Sequence, residues 1–169
     1  MKFQSKTMVG LVLAGLLSTP IQAAETILFN CFFPPQHYVC KNFLPEMANR
    51  VKEATDGRVK VRIPPKSLTA PPDVFDGVKN GVMDGGIQFN AFLANQAPGM
   101  VFSLLPFVGS HSAESASVAL YDTYQKHFGD NNEYGEAVLL SLLAFNGANL
   151  YSMNDTPIEK VSDIADRKM

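Results

Sequence analysis

The chain has 169 residues, of which 46% are hydrophobic, 18% charged and 10% aromatic, with a formal net charge of -2. These proportions exclude an intrinsically disordered polymer, a collagen-like chain and a disulfide-dense miniprotein. Lys2 and Lys6 precede every acidic residue, so from Ala24 onward 12 basic residues face 16 acidic ones, for a net charge of -4. No Lys/Arg run exceeds two, so the chain has no electrostatic footprint for a phosphate backbone, and no nucleic-acid partner is expected.

Residues 1–23 have the layout of a secretory signal peptide. Lys2 and Lys6 form a positive start, Met8–Leu17 an apolar run of ten residues, and Ser18-Thr19-Pro20 a break before Ala23. Ten residues at about 1.5 Å each cannot cross about 30 Å of hydrocarbon, which disfavours a membrane anchor. The expected mature chain starts at Ala24 and works in a bacterial periplasm. In that oxidising compartment Cys31 and Cys40 suit a disulfide around Phe32-Phe33-Pro34-Pro35-Gln36-His37, or else two buried thiols. A zinc site from Cys31, His37 and Cys40 is a weaker reading, because it matches no standard spacing and lacks a fourth ligand nearby.

Past that leader, strand-like and helix-like segments alternate. Thr26–Phe32 (TILFNCF) reads as a strand covered on both faces, ended by Pro34-Pro35. Val39, Phe43, Met47 and Val51 recur every four residues and predict an amphipathic helix. Pro45 interrupts it: either Asn42 caps the main helix with Pro45 in its first turn, or the helix kinks there. A turn at Asp56-Gly57-Arg58 leads to an alternating strand, Val59–Ile63. A short helix is expected from Pro72 to the Asn80-Gly81 pair, then a third strand over Met83–Phe89, weakened by Gly85-Gly86.

Met100–Val108 is apolar but contains Pro106, which predicts buried loop and short helix. Ser112 reads as the N-cap of a helix reaching about His127, with a turn at Gly129–Asn132. Val138–Phe145 (VLLSLLAF) is expected to be another buried strand, with Asn149–Met153 its partner or successor. This alternation predicts an α/β domain with a largely parallel sheet.

Several runs in this order resemble the solute receptors of tripartite ATP-independent periplasmic (TRAP) transporters. They are Phe43 to Val51 followed by Ala54-Thr55-Asp56-Gly57-Arg58-Val59-Lys60-Val61, then Gly77-Val78-Lys79-Asn80-Gly81-Val82-Met83-Asp84. Leu104-Leu105-Pro106-Phe107, Leu143-Ala144-Phe145-Asn146-Gly147, Asn154 and Val161 to Met169 complete the likeness. The resemblance implies a type II periplasmic binding-protein-like fold of two lobes, closing on a small organic acid, either carboxylate or sulfonate. That acid would pass to TRAP membrane permease subunits driven by an ion gradient. Proteins of this family are longer, so the resemblance implies an N-terminal fragment: a first lobe over 24–135 and the opening of a second over 136–169. No cofactor or metal is expected, and Arg167 precedes the strand whose arginine clamps solute in the family.

In open α/β sheets, ligands bind beyond the carboxyl ends of strands. The first strand would deliver Phe32, Phe33, Gln36 and His37 there, the third Phe89, Asn90 and Phe92, and the last Asn146 and Asn149. By resemblance, Phe33, Phe89, Phe92 and Asn149 fall at or near solute contacts. Two of these positions often carry charge in carboxylate binders, and here they hold Phe92 and Asn149. That departure favours a smaller or more apolar acid, a sulfonate, or an amine over a sugar acid or a dicarboxylate. The phenylalanines serve equally as simple core, and His111 and His127 are expected to be solvated. The rival class is an enzyme using Cys31 with His37, or Ser141 or Ser152; no G-x-S-x-G elbow accompanies them, and no catalytic activity is expected. A sensor module of the same fold is a third class.

Overall fold

The computed structural model describes residues 24–105, 108, 112–145, 152–153 and 157–165. The expected leader, Pro106-Phe107, His111, Asn146 and Asn149 lie outside the described residues. The chain divides into two compact units, one of Met1–Leu68 with Met83–Gly86, the other of Thr69–Val82 with Ile87–Met169.

The first unit is a βαβ arrangement with a third short strand. β1 (Glu25–Asn30) lies between β2 (Val59–Arg62) and β3 (Gly85–Gly86), and both pairings are parallel. Glu25 to Leu28 pair in register with Val59 to Arg62, and Phe29 and Asn30 with Gly85 and Gly86. β1 is two residues shorter at its carboxyl end than the apolar run implies, and it is not covered throughout. Its burial rises from exposed Glu25 and Thr26 to buried Phe29 and Asn30. β3 is far shorter than the expected Met83–Phe89, because the Gly-Gly pair carries no side chain to pack. Before that ladder begins, the Asp84 carboxylate accepts the Leu28 N–H at 2.7 Å, a side chain standing in for the next rung.

α1 (Leu44–Ala54) shows how the chain absorbs Pro45. A wide π-helical turn over Val39–Phe43 precedes α1, and the Leu44 N–H bonds back to the Val39 carbonyl. Proline lacks an N–H and its ring crowds the carbonyl four residues earlier, so it is tolerated in the first turn of α1. Asn42 lies inside the π-helical turn and makes no cap. At the other end, the Thr55 hydroxyl donates to the Val51 carbonyl at 2.8 Å and accepts the Val59 N–H at 3.1 Å. One side chain thus closes α1 and starts β2, and α1 packs against β2.

The second unit is helical among its described residues. A turn at Pro71–Asp73 runs into α2 (Val74–Lys79), and Gly81 ends it with φ of +70°, the left-handed geometry a helix stop requires. Short 3-10 turns cover Asn90–Leu93 and Pro98–Leu104, the second overlapping the stretch from Met100 expected to be buried loop and short helix. α3 (Ala113–His127) starts as the sequence predicts: the Ser112 hydroxyl accepts the Ser115 N–H at 3.1 Å. Leu93, Ala97, Met100, Tyr124, Tyr134 and Leu142 form its core, flanked by Phe75, Leu120, Tyr121, Phe128, Ala137 and Leu139.

The expected strand over Val138–Phe145 is absent. The segment is irregular, with Val138 80% and Leu140 69% exposed, while Leu142 is buried. A strand exists only where a neighbour satisfies its backbone. Here the Ala144 N–H bonds at 2.8 Å to the Ser117 hydroxyl on α3. Apolar content alone did not distinguish these outcomes. Of the expected Asn149–Met153 segment, only Ser152 and Met153 are described, and neither is in a strand.

Candidate functional site

Beyond the carboxyl ends of β1 and β2 the first unit has a cavity of about 380 Å³. Its wall consists of Cys31, Phe33 and Pro35 after β1, Cys40, Pro45, Ala48 and Asn49 from the helical segment, and Val61 and Ile63 to Pro65 at the end of β2. Asn49 supplies the one polar side chain among these lining residues, and exposed backbone groups make the wall about as polar as it is apolar, so the space offers a solute both apolar contact and hydrogen bonds.

Next to Cys31, at the end of β1, Asn30 is completely buried. Its Oδ1 accepts the Leu68 N–H at 3.0 Å, and its Nδ2 donates to the Ser67 hydroxyl at 3.1 Å. A buried amide is stable only with its partners in place, so Asn30 pins the chain leaving β2 to the end of β1. In the sequence this anchor shows only as a lone Asn within the apolar run Thr26–Phe32.

Cys31 and Cys40 are joined by a disulfide. Inside the loop it closes, the rings of Phe33 and His37 stack at 4.2 Å between centroids and 8° between planes, and Phe32 stacks on Phe33 at 4.3 Å. The His37 N–H bonds to the Pro34 carbonyl at 2.8 Å, forming the turn. His37 Nδ1 accepts the Val39 N–H at 3.3 Å, which leaves Nε2 as the nitrogen carrying the ring proton. Gln36 is exposed, and its Oε1 accepts from Lys41 Nζ at 3.3 Å. A Cys31 sulfur held in a disulfide offers neither a nucleophilic thiolate nor a zinc ligand, so both of those alternatives lose their essential group. Among the described residues, no three His, Cys, Asp or Glu side chains converge as a metal site.

The second unit places Phe89, Asn90 and Phe92 at one 3-10 turn. Phe89 precedes the turn in extended backbone, and its ring meets that of Phe92 edge-on at 5.8 Å and 73°. Both rings are exposed and Asn90 is half-buried. They lie beyond a two-residue strand rather than the longer one expected. The groups with displaced titration belong to the core instead. Burial pushes the Tyr134 hydroxyl up to about 12, helped by Tyr124 and Glu133, and burial followed by Glu133 raises that of Tyr124. Neither tyrosine is among the expected site residues.

Residues 29–169 match the model of the bacterial extracellular solute-binding proteins, family 7 (DctP). The chain belongs to this TRAP solute-binding family. Along all 169 residues it is 33% identical to the Comamonas testosteroni outer membrane transporter protein TsaT, of which it spans 49%. Among solved structures, it resembles a TRAP periplasmic solute-binding protein of Bordetella bronchiseptica with bound (R)- and (S)-mandelate. The TM-score is 0.64 and the identity 33%, over 70% of this chain and 37% of that one. A TRAP solute-binding protein of Rhodoferax ferrireducens with copurified benzoate gives 0.62 and 27%, over 70% and 36%. A marine metagenome relative specific for aromatic acids, with 3-hydroxybenzoate, gives 0.59 and 25%, over 66% and 36%. The chain therefore spans about half or less of each of these relatives. The family, and its mixed helix and parallel-sheet fold, agree with what the sequence motifs imply.

Proposed function

We propose that this chain is the N-terminal part of a TRAP transporter receptor that captures a small aromatic acid outside the cytoplasm. The observation that carries the reading is the Phe33–His37 stack at the carboxyl end of β1. A flat aromatic surface with a ring N–H at its edge suits a solute that is aromatic on one side and anionic on the other. Three of the solved relatives hold mandelate, benzoate or 3-hydroxybenzoate, which supports the same class of solute. The proposed contacts are Phe32, Phe33, Gln36, His37, Phe89, Asn90, Phe92, Asn146 and Asn149. A first lobe over 24–135, a second opening at 136, export by a leader cut near Ala23, and delivery to TRAP permease subunits complete the reading.

The test is calorimetric and thermal titration of the protein with benzoate, mandelate, 3-hydroxybenzoate and benzenesulfonate, against acetate, succinate and glucuronate. Aromatic acids should stabilise the fold by about 2.7 kcal/mol at one hundred times their dissociation constant. Phe33→Ala should abolish most of that shift, whereas His127→Ala, on the exposed end of α3, should leave it unchanged. A response confined to succinate and glucuronate overturns the reading.

A further inference from the structure

We propose that the Cys31–Cys40 disulfide is a positioning element of the solute site, holding the Phe33 and His37 rings together so that the bridge sets affinity for an aromatic acid. This rests on the binding reading above. Phe33 lies two residues after Cys31, and His37 three before Cys40, so both rings belong to the loop that the bridge closes. Cys31 is buried at the end of β1, while residues 34–37 are exposed and lie outside sheet and helix. Besides the ring stacking, the loop's restraints include the His37 to Pro34 turn, the Lys41 N–H on the His37 carbonyl, the Val39 N–H on His37 Nδ1, the Lys41 Nζ contact with Gln36 Oε1, and a 3.5 Å contact of the Cys40 sulfur with the Phe33 carbonyl oxygen. The bridge is the one covalent cross-link between the loop's two ends.

Cys31, Cys40 and Phe33 all line the cavity. A bridge of sequence separation nine closes a short loop. Short loops gain the least chain-entropy stabilisation, so the main effect of this bridge is local geometry. Pre-organising two rings before the solute arrives removes an ordering cost from binding.

Two readouts separate this proposal from the binding reading. The first needs no solute. In the oxidised protein the His37 ring protons should resonate upfield, shifted by the Phe33 ring current and assigned by their loss in His37→Gln. Reduction with a phosphine, or the double variant Cys31→Ser with Cys40→Ser, should return them toward exposed values while the α3 resonances stay put. The second is benzoate titration. The double variant should bind roughly tenfold more weakly, and Phe33→Ala should cost much less in that background than in the wild type. Unshifted His37 signals on reduction, or equal costs of Phe33→Ala in both backgrounds, overturn the positioning role. If benzoate does not bind the wild type, the binding reading falls and the ring-current readout still decides this one. The phosphine-reduced wild type serves as the second sample if the double variant does not fold.

Discussion

Gly99 and Glu133 are 34 residues apart in sequence, and the Gly99 N–H donates to Glu133 Oε1 at 2.9 Å. The missing side chain is what permits the approach. A Cβ at position 99 would lie 2.6 and 2.8 Å from the two carboxylate oxygens and 2.5 Å from the Phe128 ring. This bond ties the Pro98–Leu104 turn to the chain beyond α3, at the edge of the core that Met100 fills. Gly99→Ala should therefore destabilise the second unit by about 1–3 kcal/mol through overpacking. Urea unfolding checks this, and an unchanged midpoint would mean that the carboxylate can swing aside at no cost. Glu133→Gln keeps the acceptor and should cost much less.

Asn30→Ala should lower stability by about 1–3 kcal/mol, because it strands the Leu68 N–H and breaks the bond to the Ser67 hydroxyl beside a completely buried position. Ser67→Ala removes a single partner and should cost about 1 kcal/mol. Amide exchange is the sharper measurement: the Leu68 amide should lose its protection in Asn30→Ala. Protection that survives would show the strand crossing to be held by something else.

The Tyr134 hydroxyl is buried and has no hydrogen-bond partner among the described residues. Its ionisation moves from 10.0 in an exposed phenol to about 12 in the fold. The folded state therefore holds its proton where the unfolded chain loses it, so this contribution is intact below pH 10. It is lost progressively as pH rises from about 10 through about 12. Tyr134→Phe removes an unpaired buried polar group, so it should be neutral or slightly stabilising at pH 7 and should flatten the alkaline limb. Equal alkaline slopes in both proteins would refute this.

Ser112→Ala should cost about 1 kcal/mol by leaving the Ser115 N–H without its cap, and Ser112→Asp should restore it. Thermal unfolding of the two variants measures the difference. The aspartate form should lose its advantage as salt is raised, if its added charge acts through the helix end.

Much was legible in the chain because the determining energies are short-range. The Ser112 cap, the Gly81 stop, the Pro45 position in a first turn and the turn at Asp56-Gly57 depend on residues within a few positions of one another. The family motifs were legible for the same reason, since the α1–turn–β2 unit is one local structure.

Local sequence was enough to read the cap of α3, the glycine stop of α2, a helix between β1 and β2, and aromatic residues following β1. The tertiary structure decided which apolar runs became strands. β3 shrank to two glycines, and Val138–Phe145 formed no ladder, because a strand is defined by the partner that takes its backbone hydrogen bonds and not by its own composition. It also decided that Asn30 is a buried anchor and that Phe33 and His37 stack face to face. Both depend on groups brought together from separate segments, or by a covalent bridge, and no period or spacing in the sequence encodes that meeting.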